Sequence, residues 1–494
     1  MDELMRLSNA TLSHLPAGIA RPLYDRSALT PGIIHIGVGN FHRAHQSWYL
    51  HRLMQAAMAL DWGIVGAGVR TNDAAMRERL LSQDCLTTLI ELDPAGTSAE
   101  VVGSMIDYVP VEDRNSALIH AIANPRIRIA SLTVTEGGYY IDPVTKQFDG
   151  GHVDIQHDVE HPDAPKTAFG AIVAALKHRR DGGFGPVSLM SCDNLQGNGK
   201  ILRDTVVSLA SLIDDDLASW INETCSFPNS MVDCIVPATG EKEIALAHKL
   251  GIEDAAPVTH ENFRQWVIED DFCAGRPDWD QVGATFSADV HAYETMKIRV
   301  LNAGHQVLAN PGEILGIGTI DGCMANAAVR DFFLKVETDE ILPQVHPVPG
   351  ISPEAYLDLI ATRFENPKIG DTTRRVAFDG SSRHTGFVLP ILRDRLNVGA
   401  PIEGLALVEA LWARMCFAER ENGSHIEAND PMWGELSQAA HDAKTDPSAW
   451  LAQTTIYGDL KDAEAFASAF SRWLKTIWAE GTEATLRHYV GNSA

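Results

Sequence analysis

The chain has 494 residues, 45% hydrophobic and 21% charged, a globular composition with length for about two or three domains. Lys+Arg 40 against Asp+Glu 66 leaves a net charge of −26 at pH 7, a field that repels nucleic-acid backbones and anionic lipid. The opening MDELMRLSNATLSHLP lacks a basic-then-apolar leader, and no apolar run approaches the roughly 20 residues of a membrane span. Seven scattered cysteines form no C-x-x-C pair, so neither a zinc ribbon nor a disulfide framework is expected. A cytoplasmic, reduced protein without nucleic-acid or membrane partners follows.

In chain order, PGIIHIGVGN (31–40) reads as a buried strand ending in a glycine turn, and residues 41–58 carry apolar side chains at helical spacing. DWGIVGAGVR (61–70) is a second strand and DAAMRERLLS (73–82) a second short helix. TTLIEL (87–92), RIRIASLTV (126–134) and PVSLMS (186–191) are further strands, with a helix over 166–180 between the last two. This alternation predicts a mainly parallel sheet covered by helices on both faces. From about Tyr293 onward, Ala-, Leu- and Glu-rich stretches (296–310, 401–420, 463–481) read as helices. The expected fold is α/β: a Rossmann-type dinucleotide-binding domain over 1–285, then a largely α-helical substrate and catalytic domain over 286–494.

Gly37-Val38-Gly39 ends the first strand and leads into a helix, the context a dinucleotide turn requires. The first glycine suits the tight turn, and the second lets backbone approach a pyrophosphate. His42 stands where the third glycine of G-x-G-x-x-G would be, so a turn using glycine only for backbone freedom stays open. An acid at the end of the second strand would bind the adenosine ribose. Asp61 precedes that strand, whereas Asp73 follows it and is preferred, with helix capping as its bland alternative. Arg70 can instead welcome a 2′-phosphate. NAD is therefore expected, with NADP left open.

Glu294, Lys297, Asn302 and His305 share one helix, at about 60°, 0°, 140° and 80° for 100° per residue. A lysine, an amide and an imidazole on one arc suit carbonyl–alcohol chemistry. Lysine acts as general base, while the amide and imidazole polarise the reacting oxygen. The lysine, ordinarily near pKa 10.4, needs burial or a bound cationic cofactor to lose its proton, while Glu294 opposes that shift and can relay the proton to water. A solvated polar stripe is the plain alternative.

Asn194 follows the strand 186–191 at the end where open α/β sheets bind ligands. Val232 and Asp233 lie in FPNSMVD, and Arg375 and Arg383 bracket DGSS; all are candidate substrate contacts, with turn, local or solvated roles as alternatives. His42 and His45 read as packing residues. No H-E-x-x-H, tight Cys/His cluster or G-x-S-x-G elbow occurs, which favours a metal-free mechanism over zinc or serine chemistry.

The strings GVGNFHRAHQ (37–46), SLTVTEGGYY (131–140), MSCDNL (190–195), FPNSMVD (227–233) and MKIRVLNAGH (296–305) together resemble the polyol-specific long-chain dehydrogenase/reductase family, over nearly the whole chain. The resemblance implies a Rossmann-type domain, a helical C-terminal domain, an active site in the cleft between them, a nicotinamide cofactor without catalytic metal, and a monomer. By motif match, Lys297 is the general acid/base, Asn302 and His305 orient the oxygen, and Glu294 relays the proton. Asn194, Val232, Asp233, Arg375 and Arg383 fall on the substrate side. Gly37, Gly39, Phe41, Arg70 and Asp73 fall on the cofactor side.

Two positions depart from the family. Arg383 stands where members can carry lysine, which changes the hold on terminal hydroxyls. Asn72 stands where an acid can precede Asp73, which softens discrimination against NADP. The implied reaction is NAD-dependent, reversible oxidation of D-mannitol to D-fructose. Oxidation of D-arabinitol or D-glucitol is the near rival, and reduction of a hexuronate held by paired arginines is a further one. A non-catalytic dinucleotide sensor would predict a damaged Lys297, Asn302 and His305 set, which this chain does not have.

Overall fold

The computed structural model describes residues 4–491 except 143, 144 and 146, so residues 1–3 of the opening segment lie outside the description. The chain divides into two compact units, Met1–His291 and Ala292–Ala494. The expected boundary near 285 meets the strand Thr285–Phe286, which pairs with the N-terminal unit's Gln265–Ile268.

In the N-terminal unit five strands form one parallel sheet: β1 Pro31–Ile36, β2 Gly63–Ala67, β3 Met105–Tyr108, β4 Ile129–Leu132 and β5 Ser188–Ser191. Their spatial order is β3-β2-β1-β4-β5, the dinucleotide-binding order in which the chain reverses direction beside the first strand. These strands are short apolar runs because both faces are covered, as a parallel sheet demands. Ile33, Ile34, Ile36, Ile64, Ile129 and Leu132 are all buried. One face packs on the helix Ala168–Gly182, the other on residues from Tyr49 to Met54 and on Trp266 and Trp279.

Two expectations need correction. The strand at 87–92 exists as Thr87–Asp93, but it belongs to a separate three-stranded sheet with Gly96–Val102 and Val258–Glu261. The strand β3 and the strand Gly96–Val102, antiparallel partner of Thr87–Asp93, carry little apolar–polar alternation, so periodicity does not mark them. The helix expected over 41–58 is two helices, α1 Asn40–Ala44 and α2 Gln46–Gln55, broken at His45 (φ −119, ψ −94). The His45 ring is wedged among Phe41, Tyr49 and Trp266, and its Nε2 meets the Gln265 carbonyl at 3.0 Å.

The C-terminal unit is helical, as expected. Its central helix Glu403–Cys416 is buried at every position after the first, so it is a core rod rather than an amphipathic surface helix. The buried Glu409 carboxylate on that rod accepts from the Tyr457 hydroxyl at 2.7 Å and pairs with His384 Nδ1 at 2.7 Å. Asn310 Nδ2 donates to His384 Nε2 at 3.0 Å, which requires the proton on Nδ1, facing Glu409. Each member of this network has a partner, the condition for tolerating buried charge.

Among the described residues, no helix is long and apolar enough to cross a membrane, and the seven cysteines are free thiols, only Cys273 exposed.

Burial also sets a pH response. His35, His51, His260 and His305 are pushed down to about 3 by burial, and His42 falls well below its ordinary value. Unfolding returns each to about 6.5, so the unfolded chain binds more protons between pH 6.5 and 3 and stability falls as pH drops through that window. Glu337 and Glu340 act oppositely: burial raises both, Glu340 to about 7, so they favour folding at low pH and lose that contribution as pH rises. Five histidines outweigh two carboxyls. A drop in Tm of roughly 5–10 °C between pH 7 and pH 5, read by circular dichroism, is expected.

Candidate active site

In the N-terminal unit the turn after β1 is built around Gly37. Its φ is +93°, and a Cβ there would sit 2.1 Å from the Thr133 carbonyl oxygen. Only glycine meets both conditions. Thr133 Oγ1 donates to the Gly37 carbonyl at 2.5 Å, and His35, stacked on His42 at 3.4 Å, reaches Ser131 and Thr133 through its two nitrogens. His42, standing where a third glycine was sought, is thus part of the packing under the turn.

Gly39 is different. Its φ is −96°, and a Cβ would meet nothing closer than the Gly37 carbonyl oxygen at 4.0 Å. No packing inside the protein demands glycine there. That is the pattern expected where backbone must admit a ligand, and it fits a dinucleotide. Arg43, buried and missed in the sequence reading, braces this turn: Nε donates to the Gly39 carbonyl at 3.2 Å and Nη2 to Asn40 Oδ1 at 2.7 Å. Asn40 and Arg43, with Met76 and Arg79, line a cavity of about 340 Å³. The signal for Arg43 was present in FHRAH, but a buried cation cannot be told from an exposed one by spacing.

Asp73 lies on the helix Thr71–Leu81, in its first turn, at the C-terminal edge of the parallel sheet. Its Oδ2 accepts the backbone N–H groups of Val69 and Arg70, both at 2.9 Å. The capping role weighed for it is therefore real. Its Oδ1 takes no hydrogen bond among the described residues, which leaves one carboxylate oxygen for a further donor. Arg70 is exposed beside it, and Phe41 stacks on His45 at 4.8 Å. Asp61, rejected as a ribose acid, instead holds Arg128 at 2.9 Å.

On the same sheet edge, Asn194 is exposed just after β5. Its neighbour Asp193 is a structural anchor, accepting from the backbone of Val134 at 3.1 Å and Thr135 at 2.9 Å and from the Tyr139 hydroxyl at 2.7 Å. Val232 and Asp233 end the strand β6 Ser230–Asp233, which pairs antiparallel with β7 Gln265–Ile268; both side chains are buried.

One continuous rod, which enters the C-terminal unit at Ala292, carries the polar set: an α-helix Val290–Met296, a π-helical segment Lys297–Asn302, then α-helix Ala303–Leu315. The regular 100° wheel is thus wrong for this stretch. With i→i+5 hydrogen bonds the segment is wound more loosely, which brings Lys297 and Asn302 nearer to one face than the about 140° of a regular helix. Glu294 and Lys297 are 5% and 7% exposed, so the solvated-stripe alternative fails. Gly304 is required by packing: a Cβ would lie 2.7 Å from Glu337 Oε1 and 2.9 Å from the Phe333 ring.

His305 stacks on Phe364 with centroids 4.4 Å apart, and among the described residues its buried Nε2 has no hydrogen-bond partner. Burial outweighs the nearby Asp371 carboxylate in lowering it to about 3, with Arg375, Arg383 and Arg363 lowering it further. The ring is therefore neutral at working pH. Asp371 Oδ2 lies 4.0 Å from that Nε2 and 2.5 Å from Arg375 Nη2, so the structure brings His305, Asp371 and Arg375 together. Arg383 Nη1 donates to the Val376 carbonyl at 2.6 Å. Asp371 and Phe364 were not foreseen. An i,i+4 Asp–Arg spacing was the available signal for the first, and it is common on any helix.

Among the described residues, no group of three or more His, Cys, Asp or Glu side chains is arranged to hold a metal ion.

Residues 31–281 match the mannitol dehydrogenase Rossmann domain and residues 289–478 the mannitol dehydrogenase C-terminal domain. The chain is 53% identical over 472 residues to a mannitol 2-dehydrogenase of Cereibacter sphaeroides, covering 96% of this chain and 99% of that one. A mannitol 2-dehydrogenase from Pseudomonas fluorescens, solved as a ternary complex with NAD and D-mannitol, matches with TM-score 0.88 and 38% identity over 99% of this chain and 100% of that one. A substrate-free D-sorbitol dehydrogenase matches with TM-score 0.91 and 32% identity, covering 98% of this chain and 100% of that one. With both domain matches and near-complete coverage of such relatives, the chain belongs to the mannitol dehydrogenase family.

Proposed function

We propose that this protein catalyses the reversible, NAD-dependent oxidation of D-mannitol at C2 to D-fructose. The observation that carries the reading is the 53% identity to a mannitol 2-dehydrogenase over 99% of that relative's length. The N-terminal unit is assigned the cofactor and the C-terminal unit the chemistry. Gly37, Gly39 and Phe41 would hold the dinucleotide backbone, with Asp73 Oδ1 accepting from the adenosine ribose and Arg70 beside it. Bound NAD⁺ supplies the hydride acceptor.

Lys297 Nζ takes the proton of the substrate's secondary hydroxyl as its carbon gives up hydride, a general-base role suited to a buried amine on a rigid rod. Asn302, one π-turn away, and neutral His305 hydrogen-bond the oxygen as it becomes a carbonyl, and hold the developing alkoxide in the reverse direction. The unpartnered His305 Nε2 supports that assignment. Glu294, one turn before Lys297, passes the released proton towards water. Asn194, Val232 and Asp233 from the first unit, and Arg375 and Arg383 from the second, are assigned to the remaining hydroxyls. No step needs a metal in this scheme. A cytoplasmic monomer remains the expected setting.

The test is NADH formation at mildly alkaline pH with D-mannitol, D-arabinitol and D-glucitol in parallel, repeated with NADP⁺ and after chelator treatment. A D-mannitol preference with NAD⁺, unchanged by chelator, is expected. Preference for another polyol would transfer the reading to that substrate, and chelator-sensitive turnover would overturn the lysine mechanism.

Cofactor choice gives a sharper result. Asp73→Asn keeps a side-chain oxygen for the Val69 and Arg70 N–H groups but removes the charge facing the ribose. The ratio of kcat/KM with NAD⁺ to that with NADP⁺ is expected to fall about 10- to 100-fold, the range for a hydrogen bond to a charged group. An unchanged ratio would remove Asp73 from the cofactor site.

A further inference from the structure

We propose that Asp371 reserves this site for uncharged polyols against sugar acids, by occupying the Nε/Nη2 fork of Arg375 and setting a like charge beside its remaining donors. The inference rests on the polyol reading above and extends it to specificity. Arg375 gives Nε to Asp371 Oδ1 at 2.6 Å and Nη2 to Oδ2 at 2.5 Å, the two-pronged geometry in which arginine recognises carboxylates. Its Nη1 makes no hydrogen bond among the described residues and its side chain is 59% exposed, whereas that of Asp371 is 8% exposed. The guanidinium is thus pre-loaded with an internal carboxylate, and its remaining N–H donors, on Nη1 and the far side of Nη2, are left for neutral hydroxyls.

Asp371 is not placed there by the ion pair alone. Its carbonyl accepts the Ile320 N–H at 2.9 Å, and the next residues are tied to the loop that ends the His305 helix. Thr319 and Thr372 form a bridge, and Thr373 donates its N–H to the Gly318 carbonyl at 3.2 Å. Thr373 Oγ1 donates to Glu313 Oε1 at 2.8 Å. Backbone and side-chain anchors at Asp371 and the two residues after it hold the carboxylate where it faces Arg375 and His305 together. A substrate carboxylate arriving at Arg375 would either displace this tethered group or lie against its like charge, whereas a hydroxyl meets neither obstacle. Asp371 is therefore a positioning and specificity residue, acting through Arg375 and His305.

D-Mannonate, which replaces one terminal CH2OH of D-mannitol by a carboxylate, is the probe. Its oxidation by NAD⁺ converts a secondary alcohol to a ketone and yields NADH and one proton, as for mannitol. With the wild-type protein, kcat/KM for D-mannitol should exceed that for D-mannonate by about 100-fold or more, and D-mannonate should inhibit mannitol oxidation only far above the mannitol KM. Asp371→Asn should move the mannonate-to-mannitol ratio of kcat/KM upward by about 10- to 100-fold, chiefly through a lower mannonate KM. Asp371→Glu, which keeps the charge, should leave the ratio near wild type. Equal losses on both substrates in Asp371→Asn would mean a merely structural carboxylate and overturn the proposal. So would a wild-type inhibition constant for D-mannonate at or below the mannitol KM, a measurement that needs no variant to fold. Absence of D-mannitol oxidation by the wild-type protein would instead defeat the polyol reading on which this rests.

Discussion

Lys297→Ala is expected to lower kcat for D-mannitol oxidation by about 10²- to 10⁴-fold, the usual contribution of a positioned general base. NAD⁺ binding, followed by quenching of tryptophan fluorescence, should stay within a few-fold of wild type, because the cofactor turn belongs to the other unit's β1–α1 segment. The residue is 7% exposed on the π-helical segment Lys297–Asn302, and the loss is expected to be catalytic more than structural. Two further readouts separate a base from a packing residue. The alkaline-rising limb of kcat should vanish in the variant, and Tm should shift far less than turnover does. A variant that keeps turnover within about fivefold, with the same pH profile, would take the base role away from Lys297 and leave the polar rod without a chemical assignment.

The second large effect separates two glycines that look alike in sequence. Gly37→Ala places a methyl 2.1 Å from the Thr133 carbonyl oxygen at φ +93°, so backbone of β1 or of the segment after β4 must move. Overpacking and a left-handed φ each cost about 1–3 kcal/mol, and the sum should appear as a clear fall in Tm together with loss of NAD⁺ binding. Gly39→Ala meets open space at φ −96°, so its Tm should stay within about 1 °C of wild type or rise slightly. Its Kd for NAD⁺ should nonetheless rise about tenfold or more, because the methyl points where ligand backbone contact is proposed. If Gly39→Ala binds NAD⁺ as tightly as wild type, the turn does not cradle the dinucleotide, and the cofactor assignment must move elsewhere on the sheet edge.

Both predictions draw on segments legible at different depths. The strand–glycine–helix pattern at 31–55 and the spaced Lys297, Asn302 and His305 could be read directly, because buried parallel strands are short apolar runs and catalytic side chains are chemically conspicuous. The break at His45 could not be read, since it comes from a ring wedged against Trp266, more than two hundred positions away in the chain. The strand 87–93 was correctly seen, but its partners were not: propensity marks a strand, while pairing is decided by which edges the folded chain brings together.

What the sequence alone determined is the α/β unit followed by a helical one, the glycine turn after the first strand, the family and the residue types able to move a proton and steady an oxygen. Each of these is local, written in periodicity, turn chemistry or motif spacing. Tertiary structure decided the rest. It wound Lys297–Asn302 as a π-segment and so aligned a pair that an α-helix would splay. It required glycine at 304 because Glu337 and Phe333 press on that face. It set Asp371 between His305 and Arg375, turning two apparently free arginine prongs into an occupied fork. Hydrogen-bond registry, burial and like-charge proximity depend on residues distant in the chain, so they exist only once the chain has packed.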